Sequence, residues 1–102
     1  MCFFGHSHIP SIFTLEPHGI RVEVVVGERV RIKLERDRRY LINPGSIGQP
    51  RDRNPRASYA IFDLLNNLIE LHRLDYDIPT TQKKIRAAGL PLSLADRIAQ
   101  GR

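Results

Sequence analysis

A chain of 102 residues is short for more than one domain, and with 41% hydrophobic residues, no tryptophan and only four Phe and three Tyr it commands a modest core. Sixteen Lys and Arg against 11 Asp and Glu give a formal net charge of +5, which favours anionic partners. No apolar run approaches the roughly 20 residues of a membrane span, no basic-then-apolar leader opens the sequence, and the single Cys2 has no partner for an internal disulfide, so the composition predicts a cytoplasmic protein.

In chain order, "CFF" reads as a short apolar strand that delivers the chain to Gly5 and then to His6-Ser7-His8. "RVEVVV" and "VRIKLE" flank Gly27-Glu28. In the second run Val30, Ile32 and Leu34 alternate with Arg31, Lys33 and Glu35, the period of a half-buried strand, and Gly27 suits a two-residue turn, so the pair predicts a hairpin. Tyr40 to Ile42 is a further short strand, after which Pro44, Gly45, Gly48, Pro50 and Pro55 break the chain into a loop. "ASYAIFDLL" and "LIELHRLDY", joined through Asn66-Asn67, predict a second hairpin, because asparagine tolerates the positive φ of such turns. Asp63, Asp75 and Asp77 fall at strand positions in this reading, and His72 alternates along a strand. The strands are expected in one antiparallel sheet. Beyond Pro79 the period changes. "TTQKKIRAAG" predicts a short helix ending at Gly89, and Ser93 is placed to cap a last helix through "LADRIAQ". The fold class is α+β over a single domain, 1–102.

Two arginine clusters stand out, "RDRR" (Arg36 to Arg39) and "RDRNPR" (Arg51 to Arg56). A short charge run is commonly a solvated face, but the second lies in the Gly/Pro-rich loop, where forked guanidinium donors can meet phosphate. The other chemistry-bearing feature is the histidine pair. Neutral imidazole ligates zinc, iron, manganese and nickel, and alternating residues, with Cα atoms ~6 to 7 Å apart, can each hold one ion of a dinuclear centre. Pairs of this spacing also arise by chance in loops.

The words around the pair go further. "FFGHSHIP" resembles the last signature of the calcineurin-like metallophosphoesterase superfamily, a G-H-[TS]-H loop after an apolar strand. "INPGSIGQPRDRNPRASYAIFD" resembles the segment that follows it in compact bacterial phosphoesterases and diadenosine tetraphosphatase relatives, and the likeness runs nearly end to end. The resemblance implies the carboxy-terminal half of a four-layer α/β/β/α sandwich, an antiparallel sheet plus two C-terminal helices. It also implies hydrolysis of phosphomono- or diesters with two divalent ions (Mn, Fe, Zn or Ni), His6 on the second and His8 on the first. Asn43, Gly45 and Ser46 of "NPGS" would run beside that centre, and Arg51, Arg53 and Arg56 could meet substrate phosphate.

The sequence departs from the family at the other ligand segments: D-x-H, G-D-x-x-D and G-N-H-[DE] occur nowhere in it. Two imidazoles cannot satisfy two ions that each take about four to six ligands. His18, in a Pro/Gly turn, and His72 suit surface or packing roles. The isolated chain is therefore expected to be inactive, as a truncated phosphoesterase or as a non-catalytic or complementing subunit whose partner supplies the missing amino-terminal half. A small basic nucleic-acid-binding protein is the third reading, for which no RNP-type motif, aromatic platform or helix-turn-helix is present. Separated from that half, "MCFF" and the apolar faces of the tail helices should be exposed and prone to self-association.

Overall fold

The computed structural model describes residues 1–102. Seven strands and two helices follow one another as β1 (Cys2–Phe3), β2 (Ser11–Glu16), β3 (Gly19–Val24), β4 (Arg29–Lys33), β5 (Arg39–Asn43), β6 (Ala57–Asp63), β7 (Leu68–Leu74), α1 (Ile78–Ala87) and α2 (Leu92–Gln100). The α+β class agrees with the sequence reading, but the strands divide between two sheets. One has the order β1-β5-β2-β3 and the other β4-β7-β6. All pairings are antiparallel except β1 with β5, which is parallel.

The second expected hairpin is present, with Ala57 opposite Leu74 and Asp63 opposite Leu68. Its connection spans residues 64–67, and Asn67 supplies the positive φ of 52°. The first expected hairpin is not formed. β3 pairs with β2 across the Pro17-His18 turn, and β4 pairs with β7. The reason lies in where the chain crosses between sheets. Val25 is buried and donates its N–H to the Pro10 carbonyl at 2.9 Å, while the Glu28 carbonyl accepts from Arg73 N–H at 2.8 Å. Residues 25–28 are thus a bridge from one sheet to the other rather than a turn. Strand β2 carries the β-branched and aromatic signal of "SIFT", which the sequence reading did not assign.

The two sheets share one core, Ile12, Tyr40 and Ile42 from the first meeting Leu34, Ile69 and Leu71 from the second, with Val25 from the crossing segment. The alternation of β4 is as expected: Val30 and Ile32 pack on this core and Arg29, Arg31 and Lys33 stay outside. On the far face of the first sheet the register lines up Val22, Phe13 and Leu41, and beside them Ile20 and Leu15. No helix covers that face. Leu15, Ile20, Val22 and Leu41 are all exposed, as are Met1, Phe3 and Phe4.

The helices pack on each other and extend from the end of the sandwich, giving a particle 49 Å long and 19 Å thick. Asp75 and Asp77 lie beyond β7 rather than on a strand, and Asp77 is the N-cap of α1, accepting from the Thr80 N–H at 2.9 Å. That bond and the Thr80 hydroxyl hold its carboxyl below the usual range, so the cap's contribution is present above the ordinary carboxylate pKa and is lost as pH falls through the depressed one. Ser93 is not the cap of α2, which begins at Leu92 behind the N-cap residue Pro91; as the expected cap it sits two residues too far into the helix. Gly89 follows α1 with φ 71°, as the sequence predicts for a helix stop.

Ile42, fully buried on β5 between β1 and β2, is the test of the shared core. Ile42→Ala is expected to cost about 2 to 5 kcal/mol in urea unfolding, with an unchanged denaturant slope.

Candidate metal centre

β1 ends at Phe3, the N–H of the following Phe4 bonds the Ile42 carbonyl at 3.0 Å, and the chain then leaves the sheet through Gly5. His6 and His8 both adopt left-handed backbone, with φ of 79° and 59°. For residues with a Cβ this conformation is held at a cost on the order of 1 to 3 kcal/mol each, and it persists only where neighbours over-determine it. The neighbour here is Asn43, at the end of β5 and fully buried. Its Nδ2 donates to the Gly5 carbonyl at 3.2 Å and the Ser7 hydroxyl at 2.8 Å, and its Oδ1 accepts from Gly45 N–H at 2.9 Å. One side-chain amide therefore ties the histidine loop to the Pro44-Gly45 turn.

Gly45 is required there. Its φ is 86°, and a Cβ would stand 2.7 Å from the Ser58 hydroxyl and 2.8 Å from Ser58 Cβ. Ser58 in turn donates to the Pro44 carbonyl at 2.7 Å, and its N–H bonds the Ser46 carbonyl at 2.9 Å, fastening the turn to β6. The Ser46 hydroxyl accepts from the Gln49 N–H at 2.9 Å. That bond shapes the loop whose Gln49 carbonyl lies 2.8 Å from Nδ1 of His8. A carbonyl only accepts, so neutral His8 carries its proton on Nδ1 and presents the Nε2 lone pair. This is the arrangement metal-ligating histidines adopt.

His6, His8, Gly45 and Ser46 line one cleft of about 730 Å³, with Phe3 and Phe4 on one side and Tyr59 and Phe62 on the other. It opens between β1 and β6, an edge strand from each sheet. Asn43 lies beneath this cleft as a loop anchor. The arginines do not line it. Arg51 donates its N–H to the His8 carbonyl at 3.2 Å while its guanidinium bonds the Gln49 side chain, and Arg56 pairs with Glu28 and with Asp75 at 3.0 Å. Those partners raise the Arg56 pKa and hold the Glu28 carboxyl below its usual range, the hydrogen bond between the two being the leading cause of both shifts. Arg53 gives its N–H to the Gly101 carbonyl. His72 stacks on Tyr59 of the cleft wall without joining the pair as a ligand, and His18 sits in the β2–β3 turn.

No third His, Cys, Asp or Glu joins His6 and His8 in a ligand cluster. The donor set suits an imidazole-binding ion at two positions and leaves the remaining positions to other groups. Sequence reasoning missed the Gln49 carbonyl, which as backbone leaves no signature, and Ser58, which reads as an ordinary strand residue.

The fold is similar to that of a metallophosphoesterase. One such structure is the crystal structure of the metallophosphoesterase from Sphaerobacter thermophilus, with a TM-score of 0.86 and 39% identity over 99% of this chain and 41% of that one. The aligned portion is its carboxy-terminal half. An uncharacterized protein of Methanocaldococcus jannaschii is 43% identical over all 102 residues, which make up 40% of its length. The chain thus spans about two fifths of each relative it matches. No protein-family model matches it.

Gly45→Ala is expected to destabilise the protein by on the order of 2 to 4 kcal/mol, the sum of backbone strain and overpacking. Gly48→Ala, where an added Cβ meets nothing within 4 Å, should stay within about 0.5 kcal/mol of the parent. Parallel urea titrations of the two variants check the contrast.

Proposed function

We propose that this chain furnishes one part of a dinuclear phosphoesterase centre, His8 holding the first divalent ion and His6 the second, with the remaining ligands supplied by polypeptide outside these 102 residues. The observation that carries the reading is the aim of His8. Its Nδ1 proton is engaged by the Gln49 carbonyl, which leaves Nε2 with the free lone pair of a ligand, on a residue that lines the cleft, before any ion arrives. Manganese, iron, zinc and nickel all accept such a donor. When bound, a pair of ions would supply an activated water and charge neutralisation for displacement at phosphorus.

The chain's own residues would contribute position. Asn43 and the Gly45 turn keep the two imidazoles on one cleft, and Phe3, Phe4, Tyr59 and Phe62 give that cleft an apolar wall that limits water. Ser46 lies on the same wall, within reach of a group bound there. Phosphate contacts by Arg51 are compatible with its exposed position, whereas Arg56 would first have to leave Glu28 and Asp75.

A complementing polypeptide is favoured by the uncovered apolar surface of β1 and of the outer face of the first sheet. It is favoured too by the relatives' additional length, about three fifths of each chain lying outside the match. Self-association through the same surface is the form this takes when that polypeptide is missing. Support for nucleic-acid binding is thinner, since Arg21, Arg29, Arg31, Arg38, Arg56, Arg73 and Arg86 each face a carboxylate.

Hydrolysis of bis-p-nitrophenyl phosphate tests the reading. The purified chain should show no Mn²⁺-dependent turnover above buffer. Co-expression with a polypeptide carrying the D-x-H, G-D-x-x-D and G-N-H-D segments should give turnover that His8→Ala and His6→Ala each reduce by at least 100-fold, on the order of 3 kcal/mol of lost transition-state stabilisation. Hydrolysis by the chain alone that vanishes in His8→Ala would show instead that its own residues complete the site, across a homodimer.

A further inference from the structure

We infer that Gly101, at the carboxy-terminal cap of α2, is a positioning residue for His8, acting through the loop of residues 49–54. The inference rests on His8 as a ligand for its functional meaning, but its structural content concerns the imidazole alone.

The chain of contacts is short. α2 ends at Gln100, and Gly101 turns left-handed with φ 64°. In that conformation its carbonyl accepts the Arg53 N–H at 2.9 Å. The fit is close enough that no side chain is tolerated: a Cβ on Gly101 would lie 2.6 Å from the Asn54 nitrogen and 2.8 Å from the carbonyl carbons of Arg53 and Asn54. All three atoms are backbone, so a substitution must move the loop rather than a flexible side-chain tip. Beside this contact the Gln49 side-chain amide donates to the Arg102 carbonyl at 3.3 Å.

The same loop meets His8 from the other side. The Gln49 carbonyl takes the Nδ1 proton, and the Arg51 N–H bonds the His8 carbonyl, so two backbone groups of this loop fix both the ring and the main chain of the residue. Between these contacts and Gly101 the loop has little room to absorb a shift. Arg53 is itself left-handed, with φ 63°, and Asp52 is held by a largely buried ion pair to Arg73, whose guanidinium also donates to the Arg56 carbonyl at 3.3 Å. A displacement at Asn54 is therefore passed toward Gln49 rather than dissipated. The helical tail, which lines no part of the cleft, sets the aim of a residue that does.

The test reads the tautomer of His8 directly, by long-range ¹H–¹⁵N correlation above the ordinary imidazole pKa range and without metal. The parent should show His8 as a single Nδ1–H tautomer. Gly101→Val should shift it toward the mixture of an unrestrained imidazole and weaken Ni²⁺ binding, measured by calorimetry, about 10-fold, the lower end of effects for groups that orient a ligand. Gly89→Ala is the control for strain alone, since Gly89 is also left-handed at a helix end but an added Cβ meets nothing, and it should leave His8 as in the parent. Should Gly101→Val fail to fold, Gln49→Ala removes the tether to Arg102 while keeping the Gln49 carbonyl, and it should shift the tautomer in the same direction by less. A His8 that keeps its Nδ1–H form in Gly101→Val, or in Gln49→Ala where Gly101→Val does not fold, overturns the inference, as does a parent without a single tautomer. A tautomer shift in Gly101→Val or Gln49→Ala, with a parent that binds no Ni²⁺, sustains the positioning role and removes the metal reading instead.

Discussion

The side-chain amide of Asn43 is the constraint on which the site depends. It is buried without exposure, and its two donated bonds and one accepted bond link Gly5, Ser7 and Gly45, three points of the chain that no strand pairing joins. A buried amide left unpaired costs on the order of 1 to 3 kcal/mol for each orphaned group, so these partners are held as firmly as a core contact would hold them. The consequence is directional. A core contact would fix only the distance between the histidine loop and β5, whereas the amide fixes the turn of the loop and thereby the strained backbone of His6 and His8. Gly45 completes the constraint by letting β6 approach through Ser58 at a spacing that a Cβ would forbid.

The second organising fact is that the sandwich is unfinished along one side. β1 and β6 are edge strands, and the cleft that receives both histidines lies between them. Phe3 and Phe62 touch edge to face across that opening, at 6.2 Å between ring centres, so the apolar interior reaches the surface there. An aromatic edge, unpaired strand backbone and incomplete ligands at one place are mutually consistent: a single additional segment docking on the opening could cover the first, pair the second and supply the third. The relatives possess such additional chain, while these 102 residues account for about two fifths of them.

Much of this was legible in the sequence where local chemistry dictates structure. The β6–β7 hairpin, the alternation of β4, the glycine stop of α1 and the strand-to-loop exit at Gly5 all follow from patterns contained within a dozen residues. What was not legible depends on partners distant in the chain. β3 does alternate, but Ile20, Val22 and Val24 point to solvent and Arg21 and Glu23 pair with each other, so its pattern carries no information about which strand it joins. The choice is made by β2 and by the burial of Val25, which pulls the chain out of register with any turn at Gly27. At the site, Asn43, Gly45 and Ser46 were visible as residue types, yet their work is structural: a loop clamp, a close approach and a turn. The orienting group of His8 is a backbone carbonyl, and no residue type announces that. The arginine loop illustrates the opposite error, for its charge suggests phosphate while Glu28 and Asp75 engage Arg56 and the loop's own Asp52 is taken up by Arg73.

The account holds that the loop is built to offer two imidazoles, and only those two, to a divalent ion. Substoichiometric Mn²⁺ added to the protein while the imidazole resonances of all four histidines are followed tests this most directly, because paramagnetic broadening reports proximity to the ion. His6 and His8 are expected to broaden first and most, His72, stacked on Tyr59 of the cleft wall, after them, and His18 in the β2–β3 turn last. Broadening of His18 in step with the pair, or four lines that remain sharp to millimolar metal, would contradict this.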